Sequence, residues 1–229
     1  MIPYGTFTFF LIAFIVLIPV IVLGFLGKRS YIYNGISTAI MIVIIFASDK
    51  HNLLGQKYLS AQLFCFIIYV IWQVALIMYY YQSRQRKNTF TKFVTIMVLS
   101  ILPLAIVKIL QSSWLGGHQI HFHESKLIEF VGFLGISYVT FKSVQLIMEI
   151  RDGSIKEIKV GKLIQFISFF PTISSGPIDR YKRFVKDDKK VPSGAEYREL
   201  VVKAIHMIML GFLYKYLSLI HISEPTRPL

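Results

Sequence analysis

Long uncharged stretches separated by short basic ones set the pattern of this chain. Met1–Gly27 carries no charged side chain. About 20 apolar residues cross a bilayer, so a first transmembrane helix is expected at Phe7–Leu26, closed by Lys28 and Arg29. A second span is expected near Tyr31–Ala47. A third is expected at Tyr58–Tyr81, where Tyr79, Tyr80 and Tyr81 suit the aromatic belt at a membrane surface. A fourth is expected at Phe93–Leu110, with Pro103 kinking it and Lys108 reaching the interface. A fifth helix, Leu127–Ile150, carries Glu129, Lys142 and Glu149. Its end carboxylates can reach the interfaces, whereas Lys142 lies deeper and must face protein, water or a snorkelling route. Asp179–Lys203 is a charged stretch, and Ala204–Ile220 begins another apolar helix.

Gln165–Phe184, QFISFFPTISSGPIDRYKRF, breaks the pattern. Pro171 and Pro177 each remove a backbone donor and disfavour helix in the residue before them. Gly176 permits backbone conformations that side chains forbid. Thr172, Ser174 and Ser175 can bond the backbone groups that a broken helix leaves unpaired. Two readings fit. One is a re-entrant segment walling an internal path, because lipid tolerates irregular backbone only where protein or a polar cavity surrounds it. The other is an ordinary loop between a short helix and a cytoplasmic stretch.

Composition supports an all-α polytopic membrane protein. The chain of 229 residues is 55% hydrophobic and 16% charged, against roughly 25% charged in soluble domains. In this setting the net charge of +13 does not point to nucleic acid. It marks cytoplasmic loops, with anionic lipid and an acidic partner as the opposite charges. The basic segments Lys28–Arg29, Arg84–Lys92 and Arg151–Lys162 alternate with weakly charged ones. The simplest topology therefore has its N-terminus outside. Asp179–Lys203 is inside if Gln165–Pro177 re-enters without crossing, and could dock an acidic soluble protein or simply be solvated. The single cysteine, Cys65, excludes an intrachain disulfide and a cysteine-cluster metal site. His118, His121 and His123 are a candidate metal site, but no carboxylate beyond Glu124 completes a shell, so a polar loop is favoured and no metal is expected. His206 suits a packed or interfacial role. Bottom-up, no catalytic set is visible, and a channel or transporter remains open.

Two stretches alter that picture. Gly135–Gly153, GISYVTFKSVQLIMEIRDG, and Phe169–Phe184, FFPTISSGPIDRYKRF, resemble signatures of the membrane-bound O-acyltransferases, in the family's order and at a compatible separation. The likeness is strongest to family members that transfer D-alanine. It implies the N-terminal part of a ring of helices around a tunnel. The implied donor is D-alanine thioesterified to the phosphopantetheine arm of an acidic carrier protein on the cytoplasmic side. The implied acceptor is teichoic acid outside the cell membrane of a Gram-positive bacterium, and the family alternative is polysaccharide O-acetylation. No bound cofactor is expected.

The family histidine has no counterpart here and is expected beyond this chain, leaving the piece inactive alone. Phe170, Pro171, Ser175, Gly176, Pro177 and Arg180 are the positions expected to shape the tunnel wall and its cytoplasmic mouth, with a purely structural break as the alternative. Lys142 stands where relatives often have Gln, and Glu149 near where they have Asp. Both are expected to keep polar roles. Residues 1–218 read as a partial transmembrane domain. Residues 219–229, LIHISEPTRPL, resemble a translated sequencing-adapter read-through and are expected to be non-native.

Overall fold

The computed structural model describes residues 7–28, 31–47, 59–86, 89–111, 135–155, 157–173, 178–189 and 192–223. Its elements among these are all helical. They are α1 (Phe7–Phe25), α2 (Tyr31–Ala47), α3 (Leu59–Arg86), α4 (Phe90–Gln111), α5 (Ile136–Arg151), α6 (Val160–Ser168), a 3₁₀ turn (Phe170–Thr172), α7 (Tyr181–Lys189) and α8 (Gly194–Ser223). The helices α1, α3 and α4 are long and apolar enough to cross a membrane, and α2 contains a shorter apolar helix. The chain is an all-α polytopic membrane protein.

The expected spans correspond closely to these helices, and the differences have local causes. α3 runs on to Arg86 rather than ending at Tyr81. Its 28 residues rise about 42 Å, longer than a hydrocarbon core of about 30 Å. α4 starts at Phe90 and continues through Pro103. Of the expected fifth helix, Ile136–Arg151 is described, and the residues before Gly135 lie outside the described part. The charged stretch after Asp179 is helical in two pieces. α8 begins at Gly194, ten residues before the apolar run, because Ser193 and Glu196 cap it reciprocally. The Glu196 amide donates to Ser193 Oγ (3.3 Å) and the Ser193 amide donates to Glu196 Oε2 (3.4 Å). α8 also continues to Ser223, so its backbone runs into the segment expected to be non-native; residues 224–229 lie outside the described part.

The centre of the fold is α5. It packs mainly against α3 and α4, and α6 leans on both α3 and α5. Its buried positions Ile136, Val139, Thr140, Ser143, Leu146, Ile147 and Ile150 repeat at helical spacing and bind α5 to its neighbours. Water cannot compete for polar partners at this depth, and one group of buried polar side chains on α3, α4 and α5 pairs internally. Gln73 Nε2 donates to Tyr69 Oη (2.8 Å) and to Ser100 O (3.0 Å), and Ser100 Oγ donates to Gln73 Oε1 (2.8 Å). Tyr69 Oη and Thr140 Oγ1 are hydrogen-bonded at 2.6 Å. These bonds fix the mutual register of α3, α4 and α5. Gln73→Leu strips the network of its bridging group while leaving Tyr69 and Ser100 buried. It should destabilise the chain by about 1–3 kcal/mol in detergent unfolding titrations, and Ser100→Ala by less.

Candidate functional site: the braced break and the basic cavity

The interrupted segment follows its sequence. α6 ends at Ser168, and Phe169 takes a non-helical conformation (φ −57°, ψ 109°), as the residue before the FPT turn. Pro171 sits in the first positions of that 3₁₀ turn, where its missing amide costs no helical bond. Phe170 is buried, whereas Pro171 is exposed. Ser175, Gly176 and Pro177 lie outside the described residues. Arg180 is exposed and stands at the start of α7.

The two signature stretches meet in space. Gly135 opens α5 with φ 94°, a conformation that favours glycine, and a Cβ there would run into the carbonyl oxygen of Ile173 just past the turn. Seven residues on, the ammonium of Lys142 reaches the same turn. Lys142 is 1% exposed and lies about 14 Å, nine residues of rise, from the Arg151 end of α5. Its Nζ donates to Phe166 O (3.2 Å) and to Thr172 Oγ1 (2.7 Å), and stands 5.6 Å from the centre of the Phe166 ring. Thr172 passes its own proton to Phe169 O at 3.4 Å. No carboxylate among the described residues lies within ion-pair distance of Lys142. The ammonium is instead solvated by carbonyl oxygen, hydroxyl and aromatic face. Phe166 O belongs to the last turn of α6, whose carbonyls lack helical partners and carry the negative end of the helix dipole. A cation fits there, and the ring adds a further attraction.

An aromatic cluster carries this brace to the surface. Phe166 lies edge-on to Tyr181 and Phe184, with ring centres 5.5 Å apart in each case, and Phe169 lies 5.6 Å from Phe184. α7 presents Tyr181, Phe184, Val185 and Asp188 toward α6, at positions i, i+3, i+4 and i+7. Asp188 pairs with Lys162 of α6. The Tyr181 hydroxyl bonds the Lys159 backbone, and burial pushes its phenol above the ordinary value, so it stays neutral near pH 7. The opposite face of α7 carries Lys182, Arg183, Lys186 and Lys189, all exposed. The charged stretch is thus a basic amphipathic helix docked on the break.

Between α7 and the end of α5 lies a cavity of ≈ 550 Å³, lined by Gln145, Glu149, Asp152, Arg180, Lys182 and Lys186 among others. Glu149 accepts the backbone amide of Lys182 with one oxygen, while its Oε2 and Gln145 Oε1 are buried without a hydrogen-bond partner among the described residues. Arg183 is held by Asp179 at 2.8 Å, which also accepts the Arg180 amide at 2.8 Å. Arg180, Lys182 and Lys186 have no such ion pair among the described residues, and the charges of Arg180 and Lys182 act on Glu149. Of the expected wall positions, the described residues include Phe170, Pro171 and Arg180. Arg180 lines the cavity, Phe170 packs inside and Pro171 faces outward. Sequence reasoning gave Lys142 a polar role but did not place it at the turn, and it left out Gln145. Their spacing from the buried positions of α5 was the available signal. His118, His121 and His123 lie outside the described residues; His206 is exposed on α8, and no metal-holding group occurs among the described residues.

No family model matches the chain. Curated relatives match it over nearly its whole length. The teichoic acid D-alanyltransferase of Bacillus subtilis (strain 168) is 45% identical over 218 residues, which cover 95% of this chain and 51% of the relative. The chain is similar to teichoic acid D-alanyltransferases. That of Lacticaseibacillus rhamnosus is 43% identical over 218 residues, covering 94% of this chain and 49% of the relative. The teichoic acid D-alanyltransferase of Streptococcus thermophilus (strain ATCC BAA-250 / LMG 18311) is 33% identical over 214 residues, covering 93% and 47%. The chain spans about half the length of these D-alanyltransferases.

Gly135→Ala tests the meeting of the two stretches. The positive φ costs a side chain about 1–2 kcal/mol, and the Ile173 carbonyl must also move. The variant should lose more than that penalty in detergent unfolding. Gly35→Ala, in open space on α2, should be neutral or slightly stabilising.

Proposed function

We propose that this chain forms the cytoplasmic donor mouth of a membrane-bound O-acyltransferase that D-alanylates teichoic acid. In this reading a small acidic carrier protein presents D-alanine as a thioester on its phosphopantetheine arm. An acceptor hydroxyl attacks the thioester carbonyl; the C–O bond forms, the C–S bond breaks, and the thiol leaves with a proton. No catalytic base is assigned to a residue of this chain. The membrane would be the cell membrane of a Gram-positive bacterium, with the basic segments in the cytoplasm.

The observation that carries the reading is the basic cavity beside α7, set against a chain similar to D-alanyltransferases over about 95% of its length. An acidic carrier suits the outer face of α7, and a phosphodiester suits Arg180 and Lys182, which have no contact ion pair among the described residues. The cavity lies between that helix and the end of α5. Polysaccharide O-acetylation and transport draw no support from the relatives, whose names all specify D-alanyl transfer.

Arg180→Ala in the intact gene should lower transfer from the carrier about tenfold or more, the loss of one charge-assisted bond, while leaving membrane insertion and protein level unchanged. Arg180→Lys should recover part of the rate because it keeps the charge but not the fork. Cell-wall D-alanine ester, with carrier-dependent transfer in membranes, is the readout. Unchanged ester in both variants contradicts a donor path past Arg180, and unchanged ester after deletion of the gene contradicts the function itself.

A further inference from the structure

A second basic group lies at the ends of α3, α4 and α5, apart from the cavity rim. Arg84 Nε donates to the carbonyl of Arg151 (3.2 Å), the last residue of α5, which holds the Arg84 guanidinium at that helix end. Gly153 turns away with φ 75°, and a Cβ there would stand 3.0 Å from one amino group of Arg84. The Arg151 guanidinium lies over the Phe93 ring, its Cζ 4.6 Å from the centre. Both charges act on the hydroxyl of Tyr80, which is buried and has no hydrogen-bond partner among the described residues. Lys92 stands on the adjoining turn of α4, its ammonium 2.9 Å from Ser83 Oγ.

This is a cluster of like charge held in place by its own packing. Neither guanidinium has a carboxylate within ion-pair distance among the described residues, and Asp152, whose charge also reaches Tyr80, does not pair with either. Two fixed guanidiniums beside a buried aromatic pair repel each other at the low dielectric of a membrane surface. Their planar forks match a phosphate. The cluster lies where the apolar spans end, and from it a stripe of exposed apolar side chains, Phe90, Val94, Val98 and Ile101, runs down α4. A free anion would use the charges alone. A phospholipid uses both features, with its phosphate on the arginines and an acyl chain along the stripe. We propose that Arg84 and Arg151 form a seat for the phosphate of an anionic phospholipid of the cytoplasmic leaflet, with Lys92 supplying a third charge.

The test is lipid retention by the purified chain in native mass spectrometry, with dioleoylphosphatidylglycerol, dioleoylphosphatidylcholine and inorganic phosphate as separate probes. The wild-type chain should retain the phosphatidylglycerol at least fivefold over the phosphatidylcholine. Arg84→Gln with Arg151→Gln should bring that ratio close to one. Lys203→Gln, which removes one charge on exposed α8, should leave it unchanged. If the double variant does not purify, Arg84→Lys decides: at least a twofold loss of the ratio supports the seat, and an unchanged ratio overturns it. The seat is also overturned if the double variant retains the lipid as well as wild type, or if Lys203→Gln loses as much. Millimolar phosphate displacing the lipid from the wild type would make this a site for free anions and overturn the lipid assignment.

Discussion

A single buried ammonium holds the interrupted segment in place. A chain that stops a helix inside a membrane protein leaves the carbonyls of its last turn without partners, and lipid offers none. Lys142 answers that need from the facing helix. It donates to Phe166 O at the end of α6 and to Thr172 in the following turn, and it lies against the Phe166 ring. The cost of burying a charge is met by groups that the break itself creates. The two features are therefore interdependent: without the break the ammonium loses its acceptors, and without the ammonium the turn loses its side-chain hydrogen bond to α5.

The α7 side of the bundle builds on that tether. Phe166 and Phe169 present their rings to Tyr181 and Phe184, so the position of the turn fixes the seating of α7. α7 in turn carries Lys182 and Lys186 to the cavity rim, and the loop before it carries Arg180. Deeper in the bundle, the Gln73 network fixes α5 against α3 and α4, so Lys142 projects from a rigid support. The aromatic positions of the second signature stretch thus have a packing role. Among the described residues of that stretch, the groups left for recognition are the charges.

Much of the fold was legible because lipid enforces simple rules. The boundaries of α2 coincide with an uncharged run, and the break coincides with Pro171. Other features depend on pairings that an apolar pattern cannot show. The start of α8 is set by a serine and a glutamate three apart within a stretch whose charge density suggested a loop. Arg183 and Arg180 look equivalent in sequence, yet Arg183 forms a contact ion pair with Asp179, four residues before it, and Arg180 does not. Lys142 was legible as a buried polar group, but its acceptors lie 24 and 30 residues away and become neighbours only through the fold.

A double-mutant cycle between Lys142→Met and Thr172→Val measures the brace most directly. Unfolding free energies of the four proteins in mixed detergent give the coupling between the two side chains. The account predicts a favourable coupling of about 1–3 kcal/mol, because the hydroxyl matters only while the ammonium is there to use it. Additive effects of the two substitutions, within about 0.3 kcal/mol, would show that the turn is held by packing alone and would contradict it.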